Sequence, residues 1–298
     1  MKKTSLLKKL ILDKEILVMP GAHDALSAKI IEQVGFKAVT MGGYAASAAS
    51  LAKPDVSLLT FTEYVNIARN IVEAVDLPLF VDGDTGYGNV TNVQRTVRVF
   101  ENAGVAGLFI EDQVYPKRCG HMEGKKIIPA LEMVAKIKAA VDARVDKDLV
   151  IMARTDAIAT DGLDEAIERG NRYAEAGADL IFVEAPTSRE DMLRINREID
   201  APTKAIQVEG GKTPLLTVKE LEELGFNTVV YPNVTVYATA WALKGLWEGL
   251  KSNGSTKHWQ DKIIPFDDFN NLVGLNKVRE LESYYYRDFY ESLQQQDK

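Results

Sequence analysis

The sequence predicts a single α/β domain built as a (β/α)8, or TIM, barrel. Short apolar runs alternate with longer helical patterns along all 298 residues. No Pro/Ser-rich hinge or low-complexity tract marks off a second domain. Charged residues repeatedly close the apolar runs, and a barrel of parallel strands gathers its functional side chains at those strand ends. Strand–helix units without a linker favour a closed barrel over a doubly wound sheet.

The strands are expected at Ile16–Met19, Lys37–Met41, Leu79–Asp82, Gly107–Glu111, Val150–Arg154, Leu180–Glu184, Ala205–Val208 and Thr228–Tyr231. Most are rich in β-branched residues and too short for helices. Between them, Val90, Val93, Val97 and Phe100 share one helical face. So do Val236, Ala240, Leu243, Trp247 and Leu250. Gly104, Gly177 and Gly225 each follow a helical pattern and precede a strand, the place of a left-handed helix stop. The whole chain reads as one domain, with residues 252–298 a helical extension. That extension carries Phe266, Phe269, Leu272, Tyr284–Tyr286 and Phe289, more apolar surface than a tail needs. It either folds back on its own barrel or packs on another subunit.

Composition narrows the function. Apolar residues make up 46% and charged residues 27%, ordinary for a globular chain. No apolar run reaches the roughly 18 residues of a transmembrane helix. The basic start breaks its apolar run with lysines and makes a poor signal peptide. One cysteine excludes an intrachain disulfide and points to a reducing, cytoplasmic setting. A net charge of −7 argues against nucleic acid or an anionic membrane as partner, though not against a small anionic substrate.

The most informative segment is Glu111-Asp-Gln-Val-Tyr-Pro-Lys-Arg-Cys-Gly-His121. It leaves a buried strand and gathers carboxylates, cations and the single thiol. Positive charge from Lys117, Arg118 and His121 favours the thiolate of Cys119. Other strand ends add Gly42-Gly43-Tyr44, Asp82-Gly-Asp84, Arg154-Thr-Asp156, Glu184 and Glu209. Asp82, Asp84 and Glu111 are oxygen ligands of the kind Mg²⁺ takes, one or two directly and the rest through water. Histidines are too few and wrongly spaced for zinc. No phosphate-binding loop or dinucleotide fingerprint occurs.

These motifs resemble the isocitrate lyase/phosphoenolpyruvate mutase superfamily. The resemblance rests on Lys53-Pro-Asp55, Val81-Asp-Gly-Asp-Thr-Gly-Tyr-Gly88, Ile110-Glu-Asp-Gln113, Lys117-Arg-Cys-Gly-His121, Ala153-Arg-Thr-Asp156 and Val183-Glu-Ala185. It covers nearly the whole chain. It implies a barrel whose last helix is exchanged between subunits, in a homotetramer built from dimers. It implies Mg²⁺, with Mn²⁺ as a substitute, near Asp82, with Asp55, Asp84 and Glu111 mostly through water. It also implies a loop around Cys119 that closes over substrate. The Lys-Arg-Cys-Gly-His run resembles the carbon–carbon lyase branch rather than the phosphonomutases.

Within that branch, 2-methylisocitrate lyases usually read Asn-x-Thr-Glu-Phe-Gly where this chain has Ile206, Val208 and Gly210. Those polar groups are expected to hold a carboxylate, so their loss argues against a tricarboxylate. Glu209-Gly-Gly-Lys-Thr-Pro214 is more similar to the 2,3-dimethylmalate lyase group. The resemblance then implies metal-dependent retro-aldol cleavage of an alkylated 2-hydroxy dicarboxylate. Cys119 would exchange a proton with carbon. Arg154 would pair with a substrate oxygen. Gly120 and His121 would hold the departing carboxylate with Lys117 beside them, and Glu184 and Glu209 would orient these groups. Gly42, Gly43, Ile206 and Val208 would line the substrate. Tyr44 and a metal-linked Asp are both candidates for taking the hydroxyl proton. A 2-methylisocitrate lyase is the first alternative, followed by an oxaloacetate hydrolase or a phosphonomutase, and then an inactive dicarboxylate-binding barrel.

Overall fold

The computed structural model describes residues 1–120 and 122–296, with the side chains of 288 and 290–296 outside the description. Helix α1 spans Lys3–Ile11. Then β1 (Leu17–Pro20), α2 (Ala25–Val34), β2 (Val39–Met41), α3 (Gly43–Leu51), α4 (Phe61–Ala74), β3 (Leu79–Asp82) and α5 (Val90–Asn102) follow. Next come β4 (Gly107–Glu111), α6 (Ala130–Ala143), β5 (Val150–Thr155), α7 (Leu163–Glu175), β6 (Leu180–Val183) and α8 (Arg189–Glu198). The series ends with β7 (Lys204–Ile206), α9 (Val218–Glu223), β8 (Thr228–Tyr231), α10 (Val234–Asn253), α11 (Phe266–Leu272) and α12 (Leu275–Gln296).

The strands pair in parallel as two sheets, ordered β1-β8-β7 and β2-β3-β4-β5-β6. Single parallel bridges, Gly21 with Thr40 and Ile181 with Thr203, join the sheets at both seams. The strands therefore follow the cyclic neighbour order that the sequence predicts for a (β/α)8 barrel. Two cores result. The larger packs outward-facing strand residues such as Val39, Val81, Ile110 and Ile151 against the helices. The smaller fills the inside of the strand ring with Met19, Phe80, Phe109, Met152 and Phe182. Leu7 and Ile11 of α1 join the inner core, with Leu7 beside Gly107 at the start of β4. Lys8 and Lys9 lie in the last turn of α1, whose apolar side, Leu7 and Ile11, is buried.

Local chemistry accounts for the element ends. Asp24, Thr60, Asn89, Ser188 and Thr217 each accept from an N–H in the first turn of the helix they precede. Gly104, Gly177 and Gly225 hold φ of +82°, +103° and +98°, as the helix-stop reading requires.

Three expectations change. On α5, Val93, Val97 and Phe100 are buried, but Val90 in its first turn is exposed. Helix α10 buries no residue, and Leu243 and Trp247 of its apolar face are exposed. Strand β7 starts at Lys204, one residue earlier than its apolar run suggests. The chain divides into two compact units, Met1–Thr239 and Ala240–Lys298, the second beginning inside α10. Among the described residues no helix is long and apolar enough to cross a membrane.

Candidate active site

The cavity lies where the strands of the first unit end. Its lining brings together Gly42, Gly43, Tyr44, Asp55, Asp82, Cys119, Gly120, Arg154, Glu184, Ile206 and Val208, all singled out in the sequence. Two ion-pair clusters face it.

The first is built on the end of β3. Asp82 Oδ2 accepts from the Gly43 N–H at 3.2 Å, and its Oδ1 from the Asp84 N–H at 2.8 Å. Lys117 Nζ sits among the acids, 2.9 Å from Asp55, 3.0 Å from Asp84 and 3.7 Å from Asp82. All four side chains are buried. A Cβ on Gly43 would stand 3.2 Å from Asp55, Asp82 and Lys117 at once, so glycine lets α3 begin against the cluster. Burial raises the Asp84 carboxyl to about 6; Lys117 opposes the rise, and Asp82 and Asp55 add to it. Burial also opposes the charge on Lys117, but the surrounding carboxylates hold its ammonium well above the usual range. The sequence reading put Lys117 beside the departing carboxylate. Its long side chain instead reaches the acids, where its charge is stabilised most.

The second cluster surrounds Arg154. Its guanidinium meets Asp156 at 2.9 and 3.0 Å, Glu184 at 3.0 Å and Glu111 at 3.4 Å. Lys125 joins at 2.8 Å from Asp156 and donates to the Gly120 carbonyl. Burial would raise the Asp156 carboxyl, but Arg154 and Lys125 outweigh it and lower it to about 2. Asp112 turns away from the cavity. It accepts from Thr155, the Asp156 N–H, Tyr173 and Arg169, and so anchors the end of β5.

The loop after β4 lies over these clusters. A Cβ on Gly120 would fall 2.3 Å from Glu184 and 2.5 Å from Arg154, so only glycine lets the backbone rest on that ion pair. Gln113 holds the loop through reciprocal hydrogen bonds with the Arg118 backbone at 2.9 and 3.0 Å. Cys119 is half-buried at the cavity wall. Tyr44 meets Tyr237 edge-on at 6.0 Å. Burial, the hydrogen bond with Tyr44 and the nearness of Cys119 all make the Tyr237 hydroxyl less acidic. His121 lies outside the described residues.

The acid end suits a divalent cation. Three carboxylates there face one ammonium, which leaves negative charge in excess. Glu111 is fully buried, yet neither of its oxygens accepts a hydrogen bond. Burial raises its carboxyl well above the usual range. A buried carboxylate in this state is costly unless a cation or water satisfies it. Among the described residues no three His, Cys, Asp or Glu converge closely enough to enclose an ion alone. Mg²⁺ does not require that, because it keeps several waters and takes few direct protein ligands.

Glu209 does not reach the site. Strand β7 ends at Ile206, the chain turns between Val208 and Gly211, and Glu209 is exposed. Asp84 and Glu111 stand behind the lining rather than in it. Sequence reasoning missed Lys204 and Asn233, which both line the cavity. Period-two alternation back from Ile206 points to Lys204. Asn233, just past β8, is buried with its Oδ1 unpaired, and reading the eighth strand end like the others would have found it.

A family model described as phosphoenolpyruvate phosphomutase matches residues 7–250. The 2,3-dimethylmalate lyase of Eubacterium barkeri is 53% identical over 94% of this chain and 96% of its own length. A crystal structure of a 2,3-dimethylmalate lyase, described as a PEP mutase/isocitrate lyase superfamily member, superposes with a TM-score of 0.90 at 31% identity, covering 96% of each chain. A phosphonopyruvate hydrolase in complex with oxalate and Mg²⁺ superposes with a TM-score of 0.87 at 30% identity, over 96% of this chain and 99% of its own. This chain therefore belongs to the phosphoenolpyruvate mutase/isocitrate lyase superfamily.

Proposed function

We propose that this chain is a Mg²⁺-dependent carbon–carbon lyase. It would cleave an alkylated 2-hydroxy dicarboxylate of the 2,3-dimethylmalate type into pyruvate and a carboxylate such as propionate. One observation carries the reading: a single cavity is shared by the Asp55–Asp82 acid end, the Arg154–Glu184 pair, the Cys119 thiol and an apolar wall of Ile206 and Val208. A phosphonomutase needs no such thiol, and an oxaloacetate hydrolase needs no apolar place for an alkyl group.

Asp82 would hold the metal directly, with Asp55, Asp84 and Glu111 acting through water; Mn²⁺ would substitute. Bound there, Mg²⁺ supplies Lewis-acid stabilisation of the negative charge that develops on the substrate's 2-oxygen. The remaining work falls to the chain. Arg154, held rigid by Asp156 and Glu184, pairs with a substrate oxygen and loses little entropy in doing so. The 2-hydroxyl proton passes to Tyr44 or to an acid of the Asp82 cluster. As the C2–C3 bond breaks, its electron pair moves to C3 and spreads into the attached carboxylate. The Cys119 thiol then gives its proton to C3 and becomes the thiolate. Gly120, lying on Arg154 and Glu184, keeps water from the carbanion; His121 would complete that cover. Ile206 and Val208 receive the alkyl group.

The exposed aromatic residues of the second unit, among them Trp241, Trp247, Phe266 and Tyr284–Tyr286, fit a homotetramer with an exchanged C-terminal helix. Sedimentation at the tetramer mass checks this. A cytoplasmic setting keeps Cys119 reduced.

The deciding experiment is a product assay with Mg²⁺ across 2,3-dimethylmalate, 2-methylmalate, 2-methylisocitrate and oxaloacetate. The reading expects pyruvate and propionate from the first at the highest kcat/KM. Oxalate and acetate from oxaloacetate as the dominant products would replace it with the hydrolase.

A further inference from the structure

One cation in the cavity has no role in the chemistry above. Lys204 opens β7 and is 5% exposed. Along this strand Ala205 faces the helix-packed core, whereas Lys204 and Ile206 face the cavity. The Lys204 Nζ lies 3.8 Å from the centre of the Phe182 ring and 5.1 Å from that of Phe109. It makes no hydrogen bond or ion pair with any described residue. The charged groups that influence it are Glu184, Arg154, Asp82 and Glu111. Glu184 and Glu111 are already engaged with Arg154, and Asp82 lies by Lys117.

This arrangement is costly without a ligand. A buried ammonium without an ion-pair partner is disfavoured, and an aliphatic side chain would fill the same place without that cost. Burial accordingly lowers the Lys204 ammonium to about 7. The aromatic faces offset part of the cost through their negative quadrupoles. They accept no conventional hydrogen bond, so the N–H donors remain available. An anion entering the cavity would meet a cation already in position.

Resting on the lyase reading above, we propose that Lys204 is the recognition point for the substrate carboxylate remote from the acid cluster, the one attached to the carbon that Cys119 protonates. Its ammonium takes one carboxylate. Beside it Ile206 and Val208 offer apolar contact and no donor, so the subsite admits a second carboxylate and an alkyl group and excludes a third charge.

The test measures binding of two non-reacting anions to the full-length protein by calorimetry, with Mg²⁺ present. Succinate carries the remote carboxylate but no 2-hydroxyl; oxalate chelates the metal and does not reach Lys204. In Lys204→Met, succinate affinity should fall about 10–100-fold, the loss expected for a charged hydrogen bond, while oxalate affinity stays within about twofold. Lys204→Gln serves if the Met variant does not fold. Wild type should also bind succinate at least about tenfold more tightly than succinamate, the half-amide that keeps only one carboxylate. Retention of succinate affinity by the variant, equal loss of succinate and oxalate, equal binding of succinate and succinamate, or no succinate binding by wild type would each overturn the assignment. None of these measurements needs turnover, so they remain decisive if no alkylmalate is cleaved. In that event the lyase reading fails separately.

Discussion

At the Asp82 end of the cavity, three carboxylates crowd one ammonium. At the Phe182 end, one ammonium stands over two rings and makes no ion pair with a described carboxylate. The first end holds negative charge in excess, and its groups are fixed by backbone N–H donors and by glycines that admit close approach. The second holds a single ammonium against aromatic faces. A molecule that brings a cation-chelating hydroxy acid to one end and a carboxylate to the other satisfies both. Arg154 lies between the two, ion-paired to Glu184 and Glu111, with its guanidinium carbon 5.5 Å from the Phe182 ring centre and 5.9 Å from that of Phe109.

The largest effect that would break this contrast concerns the acid end. Excess chelator should reduce turnover to background, and added Mg²⁺ should restore it. Asp82→Ala should be similarly severe. Asp84→Ala should lower kcat/KM by about 10–100-fold, the loss expected of a group that supports the metal through water. Full activity in chelator would mean that Lys117 alone balances these carboxylates.

Between the two ends, Cys119→Ser should lower kcat by about 10²–10⁴-fold, because a hydroxyl is a much weaker acid than a thiol. Binding of oxalate should persist. Turnover within about twofold of wild type would remove the thiol from the reaction.

A smaller effect sharpens the Phe182 end. Ile206→Asn with Val208→Thr should shift the ratio of kcat/KM for 2-methylisocitrate over 2,3-dimethylmalate by about tenfold, or about 1.4 kcal/mol. A wild type that already prefers the tricarboxylate by that margin would contradict the single-carboxylate subsite.

The smallest effect is on stability. Folding depresses the Lys204 ammonium to about 7 from the ordinary lysine value of 10.5. The unfolded chain therefore binds more protons between those limits. The stability withheld at neutral pH is regained as pH rises toward the unfolded value. Without ligand, Lys204→Met should melt a few degrees above wild type at pH of about 7, and the difference should shrink near pH of about 10. A variant that melts lower at neutral pH would show that the rings over-compensate the buried charge.

Strand positions and helix stops were legible because they depend on nearest-neighbour chemistry. Apolar runs of strand length, Gly104, Gly177 and Gly225, and the acids closing β3 and β4 all carry their meaning within a few residues. Convergence of Asp55, Asp82, Cys119, Arg154 and Glu184 on one cavity also followed, since a barrel presents every strand's C-terminal end at one face. Three-dimensional packing decided the rest. Lys117 could have paired along its own loop, but only the fold brings Asp55 and Asp84 within its reach. Glu209 looked like a strand-end acid until the early end of β7 left it in an exposed turn. Lys204 reads in sequence as a solvated charge before an apolar run. One residue of strand register turns it inward, onto two rings contributed by strands far from it in sequence. Sequence determines which groups are available at a strand end. Register and the reach of long side chains decide which of them meet, because ion pairing and burial depend on distances that only the folded chain sets.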